Sequence, residues 1–369
     1  MASVLFSPLT LRGLTLPNRV VVSPMCQYAS DHGSATDWHL MHLGSFSLGA
    51  AGLVMTEMTD VNAIGRITHK CAGMYSDANE AALKRVHDFC RSYGVAKLGV
   101  QLAHAGRKAS MVPPGGKPLD PTEGAWTAHA PSAIPYDPSW PTPHAMTRDE
   151  IKQTVADFAD SARRLARIGY DVIELHGAHG YLLHQFMSPL SNQRTDEYGG
   201  SLENRIRFPL EVFSAVRAAW PDDKPLGMRL SATDWIEGGW TPEETLVLAR
   251  ALKALGCDFL DVSSGGNDPR QKIPLAPGYQ VPFGEKIRKE ADIRTMSVGL
   301  IAGARQAEDI IASGKADFVA IGRGVMYDPR WAWHAAEELG AETAYAPKMM
   351  ACHPSMRPML FPNRQKPAA

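Results

Sequence analysis

The sequence predicts an α/β fold: a (β/α)8 TIM barrel preceded by a hairpin and carrying a long capping loop after the third strand. Three observations lead there. Eight short apolar runs rich in branched residues, each bounded by Gly, Asp or Pro, read as strands. Amphipathic helical stretches separate them, and strand–helix alternation implies a parallel sheet that closes at eight strands. No G-x-G-x-x-G follows the first strand, which disfavours an open doubly wound sheet.

In order, a hairpin-like segment spans Leu9 to Arg19 and turns near Arg12-Gly13. The strands expected are Val20–Met25, Gly52–Met58, Lys97–Leu102, Asp171–His176, Leu226–Ala232, Phe259–Ser264, Arg294–Leu300 and Ala316–Gly322. Helices are expected at Asp37–Gly49, Ala78–Tyr93, Thr147–Ile168, Thr241–Leu255 and Arg305–Ser313. Thr147-Arg148-Asp149-Glu150 and Thr241-Pro242-Glu243-Glu244 are capping boxes: the Thr side chain and the Glu carboxylate satisfy each other's free backbone N–H groups. Gly169 and Gly256 close those two helices.

Two stretches break the alternation. Residues 104–146 lack helical periodicity and hold nine of the 27 prolines, which suggests a partly ordered cap with a strand-like Ala130–Ile134. Ser188–Phe208 is dense in Asn, Arg, Asp and Gly; its Asn192–Arg205 part reads either as a substrate loop or, fitting at least as well, as a buried polar network tying the loop after the fourth strand to the barrel. The barrel then covers residues 1–340 and a Met- and Pro-rich tail covers 341–369.

Composition excludes several classes. Net charge is −1, and no basic stripe with interleaved aromatics points to nucleic acid. The five cysteines are dispersed and form no C-x-x-C pair, which argues for a reducing cytoplasm rather than a disulfide framework or thiolate zinc site. No secretory leader and no run of membrane-spanning length is visible, so a cytoplasmic protein is expected.

The chemistry is expected at the carboxyl ends of the strands, which share one mouth. The apolar strand at Asp171–His176 opens directly into His176, His179 and Tyr181. These residues admit a metal site, buried structural histidines, or two neutral imidazole donors polarising an oxygen beside a phenolic acid. No HxH or HExxH pattern supplies a further metal ligand, and no residue is assigned to a metal. The seventh and eighth expected strands run into Gly299 and Gly322, the latter followed by Arg323, where this fold commonly binds phosphate.

Several motifs bear on this. They are Ser23-Pro24-Met25-Cys26-Gln27-Tyr28, Thr36-Asp37-Trp38-His39, Gly65-Arg66-Ile67, the run Gln101 to Ser110, His176-Gly177-Ala178-His179-Gly180-Tyr181, Asn192 to Arg205, and Gly322-Arg323. In order and spacing the chain resembles the Old Yellow Enzyme family of FMN-dependent ene-reductases, in its bacterial thermophilic-like branch, over roughly residues 4 to 340.

The resemblance implies bound FMN, NADPH or NADH as reductant, and reduction of activated C=C bonds in α,β-unsaturated carbonyl or nitro compounds. Ser23, Pro24, Met25 and Cys26 would line the flavin ring, with the Cys26 thiol tuning its potential. Gln101 would meet the pyrimidine edge, and Arg229 the region where the reduced ring accumulates charge. Gly299, Gly322 and Arg323 would hold the phosphate. Tyr28 would line the substrate pocket, His176 and His179 would bind the substrate oxygen, and Tyr181 would protonate carbon.

Two features depart from the branch. By the resemblance Met58 would stand near the flavin where a small alanine is usual, and the tail pattern around Arg357, the residue expected to reach a neighbour's site, is lost. The family further suggests a homodimer or homotetramer. The competing readings are a metal-dependent barrel hydrolase using His176 and His179, and a non-catalytic flavin-binding protein.

Overall fold

The eight expected strands close into one parallel barrel in the computed structural model, which describes residues 2–356. They are β1 Val20–Val22, β2 Leu53–Asp60, β3 Lys97–Ala103, β4 Val172–Gly177, β5 Leu226–Ser231, β6 Phe259–Ser263, β7 Arg294–Ser297 and β8 Phe318–Ile321. Each pairs with its successor, and β8 pairs back onto β1 through Val319↔Val20 and Ile321↔Val22. Several are shorter than expected. β1 stops at Val22, not Met25, and β7 at Ser297, not Leu300, because the chain there turns into the mouth. β2 runs two residues past Met58 and contains a bulge between Thr56 and Met58 that sets Glu57 out of register.

The outer helices are α1 Asp37–Ser47, α2 Asp77–Tyr93, α3 Arg148–Ile168, α4 Leu202–Ala219, α5 Pro242–Ala254, α6 Val281–Ala291, α7 Ala304–Ala312 and α8 Trp331–Leu339. Both expected capping boxes form, at Thr147/Glu150 and Thr241/Glu244. The sequence reading did not identify α4, α6 and α8. Polar residues and Pro209 obscure the period of α4, yet Ile206, Phe208, Val212, Phe213 and Val216 give it a buried face. α6 has no side-chain cap to announce it.

The barrel interior is layered. Val21, Leu53, Met55, Val172, Phe259, Met296, Phe318 and Ala320 form an apolar floor, closed from below by Leu11 and Leu16 of the hairpin. Above it lies a polar row, since alternate residues of each strand point inward. Glu174 is in register with Gln101, His176 with Arg229, and Arg229 with Asp261.

The 104–146 insert is a partly ordered cap. Met111–Val112 pairs antiparallel with Lys117–Pro118, and His129–Ala130 pairs parallel with His144–Ala145. The strand expected over Ala130–Ile134 is thus confined to His129–Ala130, since only that end has a partner. The 192–205 stretch spends its side chains on structure. Asn192 donates to the Phe186 and Tyr198 carbonyls, and Arg194 to those of Pro131 and Met146. Arg357 lies outside the described residues. Among the described residues no helix is long and apolar enough to cross a membrane.

Candidate active site

His176 is the penultimate residue of β4, and the chain reverses beyond it through two left-handed residues, His179 (φ 58°) and Gly180 (φ 70°). A Cβ on Gly180 would sit 2.3 Å from the Gly266 carbonyl, so glycine is required there. His179 carries a side chain in that region at a cost of order 1–3 kcal/mol. The neighbouring loops hold it. Ser231 Oγ accepts from His179 N–H at 3.0 Å, and Lys108 Nζ donates to the carbonyls of His179 (2.9 Å) and Gly266 (2.7 Å). Gln185, on the short helix Leu182–Met187, donates to the Ala105 and Gly180 carbonyls and locks this turn to the loop after β3.

The three side chains singled out in the sequence meet. The His176 ring is edge-on to His179 at 5.0 Å and to Tyr181 at 4.9 Å. His176 Nδ1 accepts from Ala178 N–H at 3.3 Å, which fixes its proton on Nε2. That Nε2 lies 3.3 Å from His179 Nδ1, and His179 Nε2 lies 3.0 Å from Ser263 Oγ, which in turn reaches the Leu230 carbonyl at 3.1 Å. One directed chain satisfies all of these: backbone to His176, His176 to His179, His179 to Ser263, Ser263 to backbone. Burial, then the charge of Arg229, drives both imidazoles well below their usual pKa, so both are neutral. Burial, with Cys26 next, raises Tyr181 well above its usual value, so its phenol keeps its proton.

Cys26, Tyr28 and Tyr181 pack against one small apolar cluster with Met58, Ile67 and Ala103. Tyr28 is left-handed (φ 51°), and burial, then the nearby Cys26 thiol, raises its phenol above the usual value. Burial raises that thiol well above its normal value, so it is no thiolate. Met58 is itself 2% exposed, packed into the cluster rather than projecting from it.

Below them, Gln101 Nε2 donates to Glu174 Oε1 at 2.7 Å. Arg229 reaches Ser23 Oγ at 3.4 Å and lies 3.2 Å from Asp261, an ion pair without hydrogen-bond geometry. Among the described residues Glu174 Oε2, both Asp261 oxygens and Arg229 Nε find no hydrogen-bond partner. A row this polar and this incompletely paired fits the hydrogen-bonding edge of a flavin ring above it.

At the ends of β7 and β8, Gly299 is left-handed (φ 116°), while a Cβ on Gly303, just before α7, would meet nothing within 4 Å. A Cβ on Gly322 would come no closer than 3.5 Å to any atom, the nearest being Met25 Sδ. Arg323 is exposed and makes no hydrogen bond or ion pair among the described residues. Open backbone with an uncommitted guanidinium suits a phosphate monoester. Pro24 and Met25 lie on the segment that joins this end to Cys26.

Lys108, Ser231, Ser263, Glu174 and Asp261 were not singled out in the sequence. Counting inward-facing positions by twos from His176 and Arg229 reaches Glu174 and Ser231. Lys108 has no such signal, since its partners lie 71 and 158 residues away. Among the described residues no third metal ligand joins His176 and His179.

Residues 4–342 match the model of the NADH:flavin oxidoreductase / NADH oxidase family. The NADPH dehydrogenase of Geobacillus thermodenitrificans (strain NG80-2) is 46% identical over 93% of this chain and 96% of its own length. The NADPH dehydrogenase of Bacillus subtilis (strain 168) is 43% identical over 93% and 97%. Among solved structures, morphinone reductase superposes with TM-score 0.77 at 28% identity, covering 96% of this chain and 93% of its own. A 2-naphthoyl-CoA reductase superposes with TM-score 0.82 at 25% identity over 91% of this chain, which spans only 52% of that longer protein.

Proposed function

This chain belongs to the NADH:flavin oxidoreductase / NADH oxidase family, an oxidoreductase using FMN and a nicotinamide reductant, and on that premise we propose that it reduces activated C=C bonds of α,β-unsaturated carbonyl or nitro compounds. The observation that carries this reading is the convergence of two neutral imidazoles and one protonated phenol over the polar row.

FMN, when bound, supplies the hydride. Ser23, Pro24, Met25, Cys26, Met58, Gln101 and Arg229 would hold its ring, and Gly299, Gly322 and Arg323 its phosphate. Tyr28 lines the substrate side. His176 and His179 bind the carbonyl or nitro oxygen and donate N–H bonds as negative charge grows on it. Removing one such donor from an oxyanion site costs about 2.7–4 kcal/mol. Tyr181 supplies a proton from its hydroxyl to carbon. The apolar packing of Cys26, Tyr28 and Tyr181 limits water at that point.

The test separates the two half-reactions in anaerobic stopped flow. Tyr181→Phe should slow reoxidation by 2-cyclohexenone by about 10²–10⁴-fold, with flavin reduction by NADPH near wild type. His176→Ala and His179→Ala should each slow reoxidation by about 10²–10³-fold. Enone reoxidation at the wild-type rate in all three would sink the reading.

A further inference from the structure

The neck of the 131–143 loop carries side chains that the redox site does not use. His129 and His144 are register partners in the parallel pair at that neck, with ring centroids 4.9 Å apart and planes tilted by 57°. Glu150, in the first turn of α3, faces them, its carboxylate oxygens 2.9 and 3.1 Å from His144 Nε2. One ligand atom from each of the three lies within 4.8 Å of the others. The His144 and Glu150 side chains are 41% and 36% exposed, so an ion in solution has access.

We propose that His129, His144 and Glu150 form a site for a divalent transition-metal ion of the zinc class, with water completing the coordination. Two imidazole nitrogens and one carboxylate oxygen make the mixed set that borderline cations take; magnesium and calcium prefer oxygen alone. Two of the three groups are shifted toward their ligating forms. Burial opposes ionisation of Glu150, but the backbone N–H of Thr147, the His144 ring and the Thr147 hydroxyl hold it down at about 2. Burial lowers His129, with Glu150 opposing. Zinc–ligand bonds of roughly 2.0–2.2 Å require the three atoms to close in from their present spacing. The neck would then be drawn onto the start of α3.

An exposed ion pair accounts for His144 and Glu150 without a metal, but it gives His129 no role; its ring makes no hydrogen bond among the described residues. The site also has a line to the active centre. The loop it closes presents its Ile134 and Pro135 carbonyls to Arg107, and the Tyr136 ring lies 4.4 Å from Lys108 Nζ, which grips the His179 carbonyl. The ion is therefore a staple for the cap.

The test uses untagged, FMN-loaded full-length protein, dialysed against chelator and then titrated with zinc chloride in a calorimeter. One equivalent should bind, and zinc should slow proteolytic cleavage within 131–143. His129→Ala, His144→Ala and Glu150→Gln, the last keeping an acceptor for the helix cap, should each weaken binding by about tenfold or more while leaving flavin content unchanged. Absence of saturable binding overturns the proposal. So does binding that survives the His129→Ala/His144→Ala pair, including zinc held instead by Cys352 and His353, which Cys352→Ser would reveal.

Discussion

His176 Nε2 and His179 Nδ1 stand 3.3 Å apart and share a single proton between them. If, as proposed, both rings donate to a substrate oxygen, one of them changes tautomer when that oxygen arrives. His176 is pinned by the Ala178 N–H at its Nδ1. His179 is free to move its proton from Nε2 to Nδ1, because Ser263 can turn its hydroxyl from the Leu230 carbonyl to His179 Nε2. With 15N-labelled histidine, His179 should read as the Nε2–H form in free protein and as Nδ1–H with a bound phenolate, while His176 stays Nε2–H. A His179 that keeps Nε2–H in the complex cannot be the second donor.

Lys108 sets the pH response of the site. Burial, then Arg107, pushes its ammonium down to about 7. His176 and His179 lie too low to titrate near neutrality and Tyr181 too high. In the proposed reaction the charged form places a cation near the oxygen that gains negative charge, so reoxidation by an enone should fall by roughly threefold as pH rises through 7. Lys108→Met should flatten that step. An inflection that persists in the variant assigns it elsewhere.

Glu174 predicts a second pH effect, on stability. Burial and then Asp261 raise its carboxyl to about 8, with Arg229 and Gln101 opposing. The unfolded chain loses this proton near about 4.3. Between those values the native state holds a proton that the unfolded state lacks, so the contribution is present below the unfolded value and is lost as pH rises toward 8. Glu174→Gln keeps an acceptor for Gln101 and removes the titration. Its stability relative to wild type should climb between pH 5 and 8, by on the order of a few kcal/mol. Urea unfolding at several pH values measures this; a constant difference would refute it.

Gly180→Ala tests the strained turn. The new Cβ would press on the Gly266 carbonyl at a left-handed position. Thermal unfolding should show a loss of roughly 1–3 kcal/mol or more, and the displaced flanking side chains should weaken phenolate binding. Gly200→Ala provides the control: it has a similar φ of 80° but nothing within 4 Å, so it should cost backbone strain without the binding defect.

Local chemistry made much of this visible in the sequence. The strand ending at His176, the capping threonines 147 and 241, and the glycines after β7 and β8 each announce themselves within a few residues. What stayed hidden depends on segments far apart in the chain meeting in space. Ser263 matters because His179, 84 residues away, turns toward it, and Lys108 because two distant carbonyls face it. α4 hid for another reason: its first turns spend polar residues on loop carbonyls, so only its later part shows an apolar stripe.

The hairpin beneath the barrel has a kinetic consequence. With Leu11 and Leu16 seated on the apolar floor, the barrel is a cup and not a tube. A nicotinamide and an oxidant that both work above the polar row must therefore enter and leave by the same rim and take turns there. Steady-state plots should give parallel lines, and each reactant in excess should inhibit by occupying the doorway the other needs.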